Sequence, residues 1–185
     1  ISYSEGVLAY GRTQEPPPAR RRVRLRGLVE EVYALFGLDE ATRIEFVNAV
    51  EPDFEVDADS DQLFRVLSNL ARNAVQAMAD DGESVLVRRL TIGAARTGGV
   101  SRILVEDTGP GLPQKARDNL FSAFRGSART GGTGLGLAIA HELVRAHGGA
   151  LELVESRSGH TAFAIAIPDR PLDLAQARTA LRRPA

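Results

Sequence analysis

Residues 67–74 read LSNLARNA. They lie inside a pattern whose apolar stripe is Leu63, Val66, Leu67, Leu70, Ala74 and Met78, the spacing of one face of a helix. Two asparagines interrupt that pattern. Asparagine is a poor helix former, and its amide must be hydrogen-bonded if buried. Asn69 and Asn73 stand four residues apart, about 40° around a helix, so both face one way. Arg65, Arg72 and Gln76 fall near the same polar edge. Taken alone, this helix is best explained by an edge that meets water.

Working outward, Asp59 has the character of an N-cap, with Gln62 three residues on as a capping-box partner. Upstream, RIEFVNAV (43–50) alternates as a strand and FEVDA (54–58) as a short second one. Leu28, Val29, Val32, Leu35 and Phe36 form one stripe, predicting a helix over 25–38. TQEPPPARRRVRLR (13–26) stops any helix with three prolines and continues with Arg20, Arg21, Arg22, Arg24 and Arg26. It reads as a solvated linker rather than a nucleic-acid arm, because no aromatics interleave and the rest of the chain balances the charge. Downstream, 84–94, 101–108, 150–156 and 161–168 read as strands. The run GLGLAIAHELVRAHGG (134–149) reads as a helix closed by Gly148 and Gly149. Helices and strands mix without a strict βαβ rhythm, which predicts an α+β fold, a sheet covered by helices on one face.

The 185 residues suffice for one domain with a real core. A net charge of −1 gives no general attraction to nucleic acid or a membrane surface. With no cysteine, disulfides and thiolate zinc sites are excluded and a reducing compartment is expected. No apolar run approaches the roughly 18 residues that span a bilayer, and no signal peptide is visible. The chain opens with Ile1 rather than methionine, as a fragment would.

Two further segments carry chemistry. VEDTGPGLP (105–113) ends an apolar strand in two acids and a glycine turn. Gly109 and Gly111 allow close backbone approach to a ligand, and Asp107 stands where the strand leaves the core, able to accept from an exocyclic amine. Its bland alternative is an Asp that caps a turn. GGTGLGLAIA (131–140) feeds glycine-rich backbone into a helix, whose free N–H groups and dipole suit an anion. It is neither a Walker loop nor a dinucleotide fingerprint, since no lysine follows and the strand order is wrong.

In sequence order, an asparagine-bearing helix, an Asp-x-Gly-x-Gly strand end, Phe121 with Phe124, and a Gly-Thr-Gly-Leu-Gly helix start resemble the ATP-binding fold. That fold is shared by gyrase, the heat-shock chaperone, mismatch-repair ATPases and sensor histidine kinases. The resemblance is strongest to the catalytic, ATP-binding domain of a sensor histidine kinase, over residues 25–168. It implies a two-layer α/β sandwich of the Bergerat type. It implies that Asn73 holds a magnesium ion bridging ATP phosphates, with Asn69 assisting at the phosphates and Gln76 standing where many members carry a basic phosphate contact. Asp107 would read the adenine amino group. Gly109, Gly111 and Leu112 would pass beneath the base, and Thr161 would hold it through water. Residues 119–132 would form a lid, with Arg125 approaching the phosphates. Gly132, Thr133, Gly134, Leu135, Gly136 and Leu137 would offer backbone N–H groups.

The gyrase-like ATPases place a glutamate at position 69 as general base. Asn69 cannot take a proton, so the pattern fits phosphoryl transfer better than hydrolysis. The implied acceptor is a histidine on a dimerisation domain upstream, in a protein that is a homodimer at full length, and the later recipient is a response-regulator aspartate. No nucleic acid and no membrane contact are expected of this part. A cytoplasmic location is expected, whether or not the parent is membrane-anchored. HELVR at His141 imitates the phosphoacceptor context but follows the glycine run and lacks the proline, so it reads as a decoy. His147 fits a helix C-terminus, where a partly charged imidazole is welcome. The implied organisation is the end of a dimerisation helix (1–12), a Pro/Arg-rich linker (13–24), the catalytic domain (25–168) and a partly helical tail (169–185). Two rivals remain at this stage: a serine kinase or anti-sigma factor on the same fold, and a degenerate nucleotide-binding regulatory module. Gln76 and the thin last motif SGHTAF (158–163), with only Gly159, leave room for the second.

Overall fold

The computed structural model describes residues 15–36, 43–80, 87–122 and 134–170. The alternating segments become one mixed sheet of β2 (Ile44–Ala49), β4 (Arg88–Thr97), β5 (Val100–Asp107), β7 (His160–Pro168) and β6 (Ala150–Arg157), in that spatial order. β2 runs parallel to β4 and the other neighbours are antiparallel. Every second residue points inward and is buried: Leu90 and Ile92, Ile103 and Val105, Phe163, Ile165 and Ile167.

Helices α1 (Leu25–Ala34), α2 (Ser60–Asp80) and, beyond the short α3 (Gln114–Asp118), α4 (Gly136–Ala146) bring their apolar stripes to that face. Val29 and Val32, Leu63, Val66, Leu67 and Leu70, and Ala140, Leu143 and Val144 join the sheet residues in one core. Fully burying a leucine such as Leu67 contributes about 2 kcal/mol, so the stripe read from the sequence also fixes α2 on the sheet. The result is the expected two-layer α+β sandwich.

Several local expectations change. The arginine run is not simply a solvated linker: Arg21–Arg24 form β1, antiparallel to β3 (Glu55–Ala58), with Val23 opposite Val56. Helix α1 ends at Ala34 rather than continuing to 38, and 37–42 lie outside the described residues. Asp59 caps α2 as expected, its Oδ1 accepting the N–H groups of Asp61 and Gln62 at 3.0 and 3.1 Å. The capping box is only half made. The Gln62 amide donates to the Pro16 carbonyl at 2.8 Å, and the Asp59 N–H goes instead to His147 Nε2 at 3.0 Å.

Helix α4 closes in a Schellman turn, Gly149 N–H to Val144 O at 3.1 Å and Gly148 N–H to Arg145 O at 2.8 Å, with Gly148 at φ +71°. A Cβ on Gly149 would sit 2.1 Å from the Ala166 carbonyl oxygen, so only glycine fits. His147 stands at the C-terminus of α4, as expected, and is buried there. Nδ1 meets Leu143 O at 2.8 Å while Nε2 accepts, an arrangement that suits a neutral ring with its proton on Nδ1. In the last hairpin the pairing slips between Leu153 and Glu155, a bulge in β6. The helical tail expected after Pro168 lies, beyond Arg170, outside the described residues, as do residues 1–14.

Candidate functional site

Both glycine segments lie against the asparagine helix. A Cβ on Gly136, the first residue of α4, would stand 3.7–3.8 Å from the Asn69 side chain. A Cβ on Gly109 would stand 3.4 and 3.6 Å from Met78 and Ala77, two turns further along α2. Eight helical residues separate Asn69 from Ala77, about 12 Å at 1.5 Å per residue. Asn73 sits between them on the same side, half-buried like Asn69. Among the described residues neither amide has a hydrogen-bonding partner. The bland alternative for these asparagines, an edge that simply meets water, does not account for a helix N-terminus and a glycine loop converging on it. Gln76 is exposed at the rim.

At the far end, Asp107 closes β5 and is buried. It faces Thr161, also buried, across the β5–β7 ladder. Its Oδ1 accepts the Gly109 N–H at 2.8 Å, and a Cβ on Gly109 would come within 2.8 Å of that same oxygen. Gly109 is therefore required by the carboxylate as much as by any ligand. Gly111 takes φ +82°, and its Cβ position lies 3.0 Å from the Arg157 backbone. The loop is pinned from outside by Gly159 N–H to Gly109 O at 2.9 Å and by Leu112 N–H to Ser156 Oγ at 2.8 Å. Gly159 thus has a place, as the donor under the loop. Leu112 and Leu137 pack on the core, while Gly134, at φ +66°, and Leu135 lead into α4. Arg125, Gly132, Thr133 and Phe124 lie outside the described residues.

Some contributors escaped the sequence. Thr108 ties the loop to its neighbours, accepting the Arg89 N–H at 2.9 Å and donating to Val87 O at 2.8 Å. Ser156 and the Arg157 backbone are brought in only by strand pairing, which no local pattern announces. His141, set aside as a decoy, stacks on Phe121 with centroids 4.5 Å apart and planes 14° off parallel. Its position one turn after Leu137 was the available signal.

The opposite end of α2 is built differently. Asp57 is buried and bound by Arg170 through Nε at 3.0 Å, Nη2 at 2.9 Å and the backbone N–H at 2.9 Å. Arg20 donates to Asp57 O at 2.8 Å, to His147 O at 3.0 Å and to Pro168 O. Burial pushes the Asp57 carboxyl up, but the Arg170 hydrogen bonds and the two guanidinium charges outweigh it and hold the group below its ordinary value. Asp59 is lowered as well: burial opposes, and the N–H groups of Gln62, Ala19 and Asp61 prevail.

A helix start, two half-buried amides and, about 12 Å further along, the glycine turn that follows Asp107 thus lie along one helix. Residues 58–171 match the family described as histidine kinase-, DNA gyrase B- and HSP90-like ATPase. The sensory histidine kinase/phosphatase NtrB of Escherichia coli O157:H7 is 36% identical over 160 residues, 83% of this chain and 45% of the relative. The chain thus spans less than half the length of the curated relatives it matches. The solved catalytic domain of histidine kinase ThkA superposes with a TM-score of 0.69 at 31% identity, covering 82% of this chain and 99% of that one. ThkA has also been solved with the response regulator TrrA, at 27% identity and a TM-score of 0.69, covering 92% of this chain and 47% of that one. Full-length ShkA in complex with AMPPNP gives a TM-score of 0.72 at 30% identity, over 88% of this chain and 34% of that one. With well over half its length matched, and a histidine kinase catalytic domain covered almost whole, the chain belongs to the histidine kinase-, DNA gyrase B- and HSP90-like ATPase family, as a domain of the histidine kinase kind.

Proposed function

We propose that the chain binds Mg-ATP along α2 and transfers the γ-phosphoryl group to a histidine on a dimerisation domain of the same protein, for onward transfer to a response-regulator aspartate. One observation carries the reading: the N-terminus of α4 stands against Asn69 rather than against a general base. A helix N-terminus holds phosphate oxygens through backbone N–H groups. An asparagine there cannot deprotonate water, so catalysis rests on placing the γ-phosphorus in line with an external nucleophile. As the bond to the ADP oxygen breaks, the imidazole nitrogen supplies the electron pair of the new P–N bond.

At the other end, the buried carboxylate of Asp107 accepts from the adenine 6-amino group and Thr161 supports it, with Gly109, Gly111 and Leu112 beneath the ring. Gln76, Gly132, Thr133, Gly134, Leu135, Gly136 and Leu137 complete the phosphate end, and Arg125 approaches it from the segment between α3 and α4. The two unpartnered amides suit magnesium, a hard ion that prefers oxygen and takes few protein ligands; Asn73 would hold it, with Asn69 beside the phosphates, and the chemistry it would supply there is neutralisation of phosphate charge. The need for ATP supports a cytoplasmic location for this domain under the same reading. No helix among the described residues is long and apolar enough to cross a membrane.

Titration calorimetry of Mg-ATP into the chain, followed by addition of the upstream histidine domain with labelled ATP, tests the reading. Heat of binding and an acid-labile phosphohistidine are expected. Absence of heat overturns the site; binding without phosphohistidine overturns the transfer.

A further inference from the structure

Helices α2 and α4 run antiparallel and are pinned at both ends. At one end Gly136 approaches the Asn69 side chain. At the other, His147 Nε2 accepts the Asp59 N–H at 3.0 Å and Nδ1 meets Leu143 O at 2.8 Å. The two spans nearly match: about 15 Å from Asp59 to Asn69 and about 16 Å from Gly136 to His147 at the helical rise. Between them the two helices pack in the apolar core, to which Leu63, Val66 and Leu67 of α2 and Ala140, Leu143 and Val144 of α4 belong. Such burial is non-directional, whereas a hydrogen bond fixes a distance. A slip of α4 by one residue, about 1.5 Å, breaks the His147 bond and carries the glycine turn away from Asn69. The His147 carbonyl also accepts from Arg20, which reaches on to Asp57 O and Pro168 O.

We propose that His147 is a positioning residue for the nucleotide site: its ring sets the axial register of the α4 N-terminus against Asn69, and its carbonyl ties that register to the segment preceding β1. This rests on the nucleotide reading above. His147 touches no nucleotide, since it stands about 16 Å along α4 from Gly136.

The test compares the whole chain with His147→Gln, whose amide oxygen replaces the Nε2 acceptor, and His147→Leu, which keeps bulk without it. Melting temperature, Mg-ATP affinity by calorimetry and deuterium exchange at the Asp59 amide are read for each. Both variants are expected to melt lower. Only the leucine variant is expected to lose affinity, about tenfold, the scale of one lost hydrogen bond. Glutamine is expected to stay within about twofold of wild type, consistent with a restored bond. Mg-ATP is expected to slow Asp59 exchange in wild type and in the glutamine variant, and not in the leucine variant. If leucine does not fold, His147→Asn replaces it, because the shorter amide cannot reach Asp59. A wild type that binds no Mg-ATP overturns the nucleotide reading and this proposal with it. A wild type that binds, alongside a leucine or asparagine variant that binds equally well, overturns the positioning role alone, as does Asp59 exchange indifferent to nucleotide.

Discussion

The two ends of α2 use polar groups in opposite ways. At its N-terminus, Asp57, Asp59, His147 and Arg20 satisfy one another, and each carboxylate accepts several donors. Further along, Asn69 and Asn73 are half-buried and make no hydrogen bond among the described residues. The first end spends its hydrogen-bonding capacity on the fold; the second keeps it for something that is not protein. Stability and binding should therefore separate under mutation, except at His147, which joins the two ends.

The largest expected effect is on the satisfied end. Asp57→Ala removes the buried carboxylate that binds Arg170 and lies 3.6 Å from Arg20, and should cost about 3 kcal/mol in chemical denaturation, the lower part of the range for a broken buried pair because Arg20 keeps its main-chain acceptors and Arg170 is half in water. Next comes the unsatisfied end. Asn73→Ala should leave the melting temperature within a degree or two of wild type yet weaken Mg-ATP binding about 10- to 100-fold, the worth of a bond to a charged group. Calorimetry at fixed magnesium reads it, and equal loss of stability would erase the contrast between the ends. Asp107→Asn should weaken ATP by a similar factor of about 10 while weakening GTP, which lacks the 6-amino group, far less. Gly111→Ala forces a side chain into a left-handed conformation against the Arg157 backbone and should lower stability by about 1–2 kcal/mol.

The smallest effect is on the acid limb. The folded-state values of Asp57 and Asp59 lie below those of the unfolded chain, so their stabilisation is complete above about pH 5 and is lost as pH falls through the unfolded value near 4 toward the folded ones. Asp59→Asn should flatten that limb in melting temperature measured from pH 7 to 3; an unchanged slope would place the acid sensitivity elsewhere.

Where a pattern is local, the sequence was readable. The stripe of α2, the alternation of β5 and β7 and the glycine ending of α4 each lie within sixteen residues or fewer, and each element formed where expected. The two asparagines and Asp107 were legible because they break otherwise apolar patterns. What escaped depends on distant partners. β1 offers a single inward side chain, Val23, too short a signal among arginines, and it exists because β3 lies beside it. Gln62 has the spacing of a capping box, but Pro16 O competes for its amide. His147 reads only as a helix C-terminus until the fold brings Asp59 to its ring. Ser156 and Arg157 support the glycine loop only because a hairpin delivers them there.

The slipped pairing in β6 bears on behaviour in concentrated solution. β6 borders the five-stranded sheet, with Val154 half exposed beside the irregularity. A flat border there would present a regular ladder of N–H and C=O groups onto which a neighbouring molecule could add a strand. The extra residue interrupts that ladder and bends the border away, so the sheet ends where it should rather than growing into its neighbours.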